Sequence, residues 1–198
     1  MSHYFNDDPN VPHDEKVLED TFFDVPFSFV TDAGVFSKSK VDQGSRILIE
    51  TVEVRDKDRV LIDMGCGYGA IGLVLAKLHG NLSCHLYDVN ERALGLARKN
   101  IRRNGITNAD ASVSDLFGQT VGNADIIVTN PPIRAGKDTV FRLYEGAKDH
   151  LSDDGVLWVV IRKQQGAPSS ITKLKTLFQD VDVRNRSKGY WIIRATGS

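Results

Sequence analysis

The sequence predicts an α/β protein: an open, mostly parallel sheet of seven strands with helices on both faces, a C-terminal antiparallel hairpin and a short N-terminal hairpin extension. Three observations carry this reading. Short apolar runs alternate with amphipathic stretches from about residue 43 onward. At Val60 to Gly72 an apolar run meets an acidic residue and then glycines at alternate positions, which reads as buried strand, tight turn and helix start. The last two apolar alternations, Val181 to Arg186 and Tyr190 to Ala195, are separated only by Ser187-Lys188-Gly189 and read as a hairpin.

Residues 1 to 20 are polar and acidic and are expected to be poorly ordered, leaving residues 21 to 198 as one domain. Phe22, Phe23, Val25, Phe27, Phe29 and Val30 suggest strands bent at Pro26, an edge hairpin with Thr31-Asp32-Ala33-Gly34 as a turn. Gly34-Val35-Phe36-Ser37 and Asp42-Gln43-Gly44-Ser45 then lead to a helix through Ile47, Leu48, Ile49 and Val52, with Asp42 placed to cap it. Leu82 to Tyr87 is a second strand ending at Asp88, and Asn90 caps a helix whose basic end precedes Gly105. Strands at Ala111 to Ser114 and Ala124 to Thr129 follow, then a helix from about Lys137 to Leu151 and a strand Gly155 to Ile161. A polar loop over 162 to 170 and a short helix from Ser169 to Phe178 complete the alternation.

The arrangement is Rossmann-like, so ligands are expected across the carboxyl ends of the strands. There the glycine turn admits two cofactors. Gly67, Gly69 and Gly72 with Asp88 fit a dinucleotide fingerprint, hence a nicotinamide oxidoreductase. Asp63, Gly65, Gly67 and Gly69 fit an S-adenosylmethionine site, in which a carboxylate before the loop suits a cationic amino group and would repel a pyrophosphate. The antiparallel ending favours the second, since a dinucleotide enzyme more usually adds a sixth parallel strand. Asp88 is placed to accept from ribose hydroxyls, and Asp115, with Leu116 against the ring, from an adenine amine. Asn130-Pro131-Pro132-Ile133 ends the fourth strand abruptly, so Asn130 is presented rigidly at the same rim.

With 198 residues and 41% hydrophobic content the chain can bury one good core. It has no apolar run long enough to span a membrane and no signal-peptide pattern, so a cytoplasmic protein is expected. Cys66 and Cys84 lack metal spacing and read as free thiols; no metal site is expected. The net charge of −1 conceals an uneven distribution: the first twenty residues hold six acids against Lys16, leaving 24 basic and 20 acidic residues in the body. That bias permits RNA binding.

On these motifs the sequence resembles the class I S-adenosylmethionine-dependent methyltransferases. More narrowly, it is similar to the ribosomal RNA small-subunit methyltransferase C family of guanine-N2 enzymes. The resemblance rests on Gly34 to Ser37 with Asp42 to Ser45, Asp63 to Gly72, Asn130 to Ile133 and Arg162-Lys163-Gln164-Gln165-Gly166-Ala167-Pro168. It covers the catalytic half of the longer family members, which carry a second, degenerate domain. It implies that Asp63, Gly65, Cys66, Gly67 and Gly69 hold the methionine end of the cofactor. Asp88 and Val89 would hold the ribose, Asp115 and Leu116 the adenine, and Asn130 to Ile133 would face the target nitrogen. The implied partner is ribosomal RNA or the small subunit, and a monomer is expected.

An exocyclic amine is a poor nucleophile, and acceptors that bind its N–H groups bias it towards attack; the Asn130 side chain and the Pro131 carbonyl are the candidates. Ile133 offers no aromatic face, so Phe36, then Tyr68, is the candidate to stack on an extruded base. Arg134, Lys137, Arg162 and Lys163 are candidates for phosphate contacts. A non-catalytic RNA-binding scaffold, or transfer to adenine, a protein glutamine or a small molecule, are the competing readings.

Overall fold

The computed structural model describes residues 14–32, 40–120 and 122–197. Strands β1 (Lys16–Phe22) and β2 (Val25–Thr31) form an antiparallel sheet of their own. The main sheet contains β3 (Val60–Met64), β4 (Ser83–Asp88), β5 (Ala109–Val113), β6 (Ala124–Thr129), β7 (Leu151–Arg162), β8 (Asp180–Ser187) and β9 (Tyr190–Thr196). Its order is β5-β4-β3-β6-β7-β9-β8, parallel from β5 to β7, with β9 antiparallel to both of its neighbours.

Helices α1 (Gln43–Thr51), α2 (Ala70–Leu78) and α3 (Glu91–Arg103) share one apolar core with Leu61, Val128, Trp158 and Ile192. Helices α4 (Lys137–His150) and α5 (Ala167–Leu174) share the other with Ile62, Ile127, Val159 and Ile193. Alternate residues of each central strand thus feed opposite layers, as the pleat requires. Asp42 caps α1 by accepting from Ser45 N at 3.0 Å, and Asn90 caps α3 by accepting from Ala93 N at 2.9 Å. The seven-stranded sheet, its C-terminal hairpin and the N-terminal hairpin agree with the fold read from the sequence.

The N-terminal hairpin differs in detail. It begins at Lys16, inside the stretch expected to be poorly ordered, and turns at Phe23 and Asp24, both with positive φ (48° and 63°). Such two-residue turns match the twist of antiparallel strands and usually carry Gly or Asn, so this one left no sequence signal. It is not an edge of the main sheet: Phe22, Phe27 and Phe29 pack in series, with ring centroids 5.8 and 5.9 Å apart, and Phe29 lies 5.9 Å from Tyr68 of the glycine loop. Burying each of these rings contributes about 1.5–3 kcal/mol. Asn100 of α3 completes the attachment. Its side chain accepts from Val30 N (2.7 Å) and donates to the carbonyls of Val30 and Tyr68 (both 3.0 Å).

Two smaller corrections lie beyond β7. A 3-10 turn at Lys163–Gln165 occupies the expected loop, and α5 starts at Ala167 rather than Ser169, with Pro168 in its first turn, where a missing N–H costs nothing. The Gly34 to Ser37 motif and Phe36 lie outside the described residues.

Candidate active site

Strand order reverses at β3, whose neighbours β4 and β6 continue the sheet in opposite directions; that switch point is where open α/β sheets bind ligands. Met64 and Thr129 are paired in register on β3 and β6, and the Thr129 hydroxyl donates to the Met64 carbonyl at 2.8 Å. The glycine turn and Asn130 therefore leave adjacent strands at the same rim. Asp88 follows Tyr87, the partner of Met64 on β4, and Ser114 N donates to the Asp88 carbonyl, so the acids after β4 and β5 join that rim.

The loop is pinned by the Tyr87 carbonyl, which accepts from Gly65 N (2.8 Å) and Cys66 N (3.0 Å). Gly65, Gly67 and Gly69 all have positive φ (74°, 56° and 92°), and a Cβ on Gly65 or Gly67 would meet open space. Gly72 differs: a Cβ there would lie 2.9 Å from Leu86 Cγ and 3.0 Å from Asp63 Oδ2, so its role is close packing of α2 on the sheet. Burial pushes the Cys66 thiol well up and that of Cys84 to about 12; both are free thiols and stay protonated at neutral pH.

Asp63 is fully buried. One carboxylate oxygen accepts from Gly72 N at 2.8 Å; the other has no partner among the described residues. Burial, helped by the charge of Asp88 and opposed by the Gly72 N–H, pushes it up to about 7. Asp88 takes Gly67 N (2.8 Å) and Asn90 N (2.9 Å) on separate oxygens; burial raises it above the ordinary carboxylate value, and the N–H groups of Asn90, Gly67 and Val89 partly offset this. Each oxygen keeps acceptor capacity for a hydroxyl. Asp115 is exposed, and Leu116 beside it is half-buried at φ 50°, its carbonyl held by the Ser114 hydroxyl at 2.6 Å. A leucine with positive φ is strained, and such strain concentrates at ligand sites.

Asn130 is half-buried, and its Nδ2 donates to Ser45 Oγ (3.2 Å) and Asp42 Oδ1 (3.4 Å) at the start of α1. Because a carboxylate only accepts, the amide nitrogen faces α1 and Oδ1 faces away; no donor engages Oδ1 among the described residues. Pro131 is buried, and its carbonyl already accepts from Ile133 N at 2.8 Å, leaving one lone pair. Pro132 and Ile133 are half-buried. Ile133 lines a cavity of about 220 Å³ with Phe141, Ile161 and Gln165, which joins the Asn-Pro-Pro-Ile segment to the loop after β7.

Arg134, Lys137, Arg162 and Lys163 are all exposed; the Lys137 ammonium lies over the Phe141 ring at 5.1 Å. Tyr68, by contrast, is buried against Phe29, so it presents no face to a base. The contacts of Asn130 with Asp42 and Ser45 were not foreseen, since 85 residues separate Ser45 from Asn130. The same holds for Asn100 and for Tyr190, whose Cε1 would lie 2.7 Å from a Cβ on Gly44.

The methyltransferase small domain family model matches residues 26–194. The chain belongs to that family. It has the class I S-adenosylmethionine-dependent methyltransferase fold, and the nicotinamide reading of Gly67, Gly69 and Gly72 is set aside. The uncharacterized protein YbxB of Bacillus subtilis is 45% identical over 98% of this chain and 97% of its own length. Ribosomal RNA small subunit methyltransferase C of Haemophilus influenzae (strain PittGG) is 37% identical over 64% of this chain, a match covering 39% of that protein. The chain therefore aligns with only about two-fifths of those longer relatives. Among solved structures, the Thermus thermophilus 16S rRNA N2 G1207 methyltransferase in complex with AdoMet and guanosine superposes with a TM-score of 0.83 at 24% identity. That match covers 96% of this chain and 52% of the other.

Proposed function

We propose that this methyltransferase moves a methyl group from S-adenosylmethionine to the exocyclic N2 amine of a guanine in small-subunit ribosomal RNA, in the cytoplasm. The observation that carries this reading is the orientation of Asn130, whose amide nitrogen is turned to α1 while its oxygen has no donor among the described residues. The likeness to ribosomal RNA small subunit methyltransferase C supports the RNA target.

The residues present fit the cofactor. Among the described residues, open space lies over Gly65 and Gly67, Asp63 keeps a buried oxygen without a partner, and Asp88 and Asp115 hold acceptors at the ends of β4 and β5. Asp63 with the glycine turn would hold its methionine end, Asp88 and Val89 the ribose, and Asp115 and Leu116 the adenine. When bound, it supplies an electrophilic methyl group on a sulfonium.

The chain's own part is to position the amine. Asn130 Oδ1 accepts one N–H and the remaining lone pair of the Pro131 carbonyl the other, which draws the nitrogen lone pair out of conjugation. Pro131 and Pro132 hold that geometry stiff. No strong base is needed, because the methylated ammonium loses its proton readily to water.

The test is incubation of small subunits, and separately of naked 16S RNA, with the purified protein and S-adenosylmethionine, followed by nucleoside mass spectrometry. N2-methylguanosine in either is the expected result; its absence from both overturns the assignment.

A further inference from the structure

Ile133 has no aromatic ring and Tyr68 is buried in packing, so neither offers a wall to a base drawn towards Asn130. The described residues supply one. Arg162 ends β7 and is paired in register with Tyr190, the first residue of β9; its guanidinium carbon lies 4.7 Å from the centre of the tyrosine ring. The edge of that ring rests on Gly44, where a Cβ would come within 2.7 Å of Cε1. Gly44 sits between Asp42 and Ser45, the two residues that hold Asn130. Tyr190 thus stands within one helical turn of the groups that orient the amide. Arg162 is exposed, so the guanidinium face turned away from the ring is accessible.

The rim around this pair is basic. Lys163 N donates to the Gly189 carbonyl at 2.9 Å, and Lys188 Nζ donates to Gln43 Oε1 at 3.0 Å, tying the tip of the β8–β9 hairpin to the turn after β7 and to the start of α1. Among the described residues, no carboxylate lies within ion-pair distance of Arg162, Lys163 or Lys188. A stacked guanidinium on an aromatic ring, flanked by lysines with no carboxylate partner among the described residues, matches a single-stranded nucleotide: a flat π-face to stack and phosphates to neutralise.

We propose that Arg162, backed by Tyr190, is the stacking wall for a nucleobase extruded from RNA, and that Lys163 and Lys188 take the adjoining phosphates. This rests on the RNA reading above and adds Tyr190 and Lys188 to it. It moves Arg162 from phosphate contact to base contact.

The test is fluorescence anisotropy of a labelled single-stranded RNA pentamer, UUGUU, with protein saturated by S-adenosylhomocysteine, against the same pentamer carrying an abasic site in place of guanine. Tyr190→Ala and Arg162→Gln are expected to weaken binding roughly tenfold, with the salt dependence of Tyr190→Ala unchanged. Tyr190→Phe should bind like wild type, and wild type should bind the abasic RNA as weakly as Tyr190→Ala binds UUGUU. Lys163→Gln and Lys188→Gln should each reduce the slope of log affinity against log salt by about 0.7. Undiminished S-adenosylhomocysteine binding shows that each variant is folded. Wild-type affinity in folded Tyr190→Ala and Arg162→Gln, or equal affinity for abasic RNA, overturns the proposal. Failure of the ribosomal reading would show separately, as subunits lacking N2-methylguanosine, with the pentamer affinities still measurable.

Discussion

The side-chain nitrogen of Asn130 donates to the hydroxyl of Ser45 across 3.2 Å, joining the turn after β6 to the first turn of α1. With Asp42 Oδ1 beside it at 3.4 Å, this bond decides which end of the amide is turned to α1. Two segments far apart in the chain thereby act as one device.

Loss of that device should lower turnover without touching cofactor affinity. Ser45→Ala and Asp42→Asn leave Asn130 freer to rotate, and kcat should fall by about tenfold with KM for RNA little changed. Asn130→Ala removes the acceptor and should cost roughly 100-fold or more. Single-turnover methyl transfer, with S-adenosylhomocysteine binding as the control, measures both.

Asp63 predicts a pH dependence. The unfolded chain ionises it near 3.8, whereas the native protein holds the proton to about 7, so the native state binds more protons between these values and stability falls as pH rises through that window. Above it the loss is complete. The melting temperature of wild type relative to Asp63→Asn should therefore decline between pH 4 and 7 and then level off. A cationic amino group held near Asp63 favours ionisation, so S-adenosylhomocysteine affinity should rise over the upper part of that window in wild type and less in Asp63→Asn.

The glycines separate by mechanism. Gly72→Ala drives a methyl group against Leu86 and Asp63 and should destabilise the fold by about 1–3 kcal/mol. Gly67→Ala meets open space but must hold φ near 56°, at a cost of about 1–2 kcal/mol, and it narrows the space proposed above for the cofactor. Urea unfolding with and without S-adenosylhomocysteine distinguishes them: ligand should restore Gly72→Ala more fully than Gly67→Ala.

Asn100 ties β2 to the glycine loop through three hydrogen bonds, the one to Tyr68 fully buried. Asn100→Leu strands the Val30 N–H and two carbonyls, and a loss of about 3 kcal/mol is expected, visible as a lower urea midpoint. Hydrogen exchange at Val30 should accelerate more than exchange in β3.

The parts of this site legible in sequence are those where local chemistry dictates conformation. Glycines at alternate positions after Val60 to Asp63 require a positive-φ turn, and Pro131-Pro132 must stop β6, so the rim and its acids followed. The hairpin turn was not legible, because Phe23 and Asp24 adopt left-handed conformations that carry no glycine signal. Tyr190 read only as a strand residue; its contacts with Gly44 and Arg162 depend on β9 lying beside β7 rather than at an edge. Neither of the other long-range contacts, Asn100 to Tyr68 and Asn130 to Ser45, left any trace in local sequence.

The most direct measurement is nucleoside mass spectrometry of 16S RNA from a strain lacking this gene, complemented with wild type or with Asn130→Ala at equal expression. The account predicts that one N2-methylguanosine disappears on deletion, returns with wild type and fails to return with Asn130→Ala. Full restoration by Asn130→Ala, or an unchanged nucleoside profile on deletion, would contradict it.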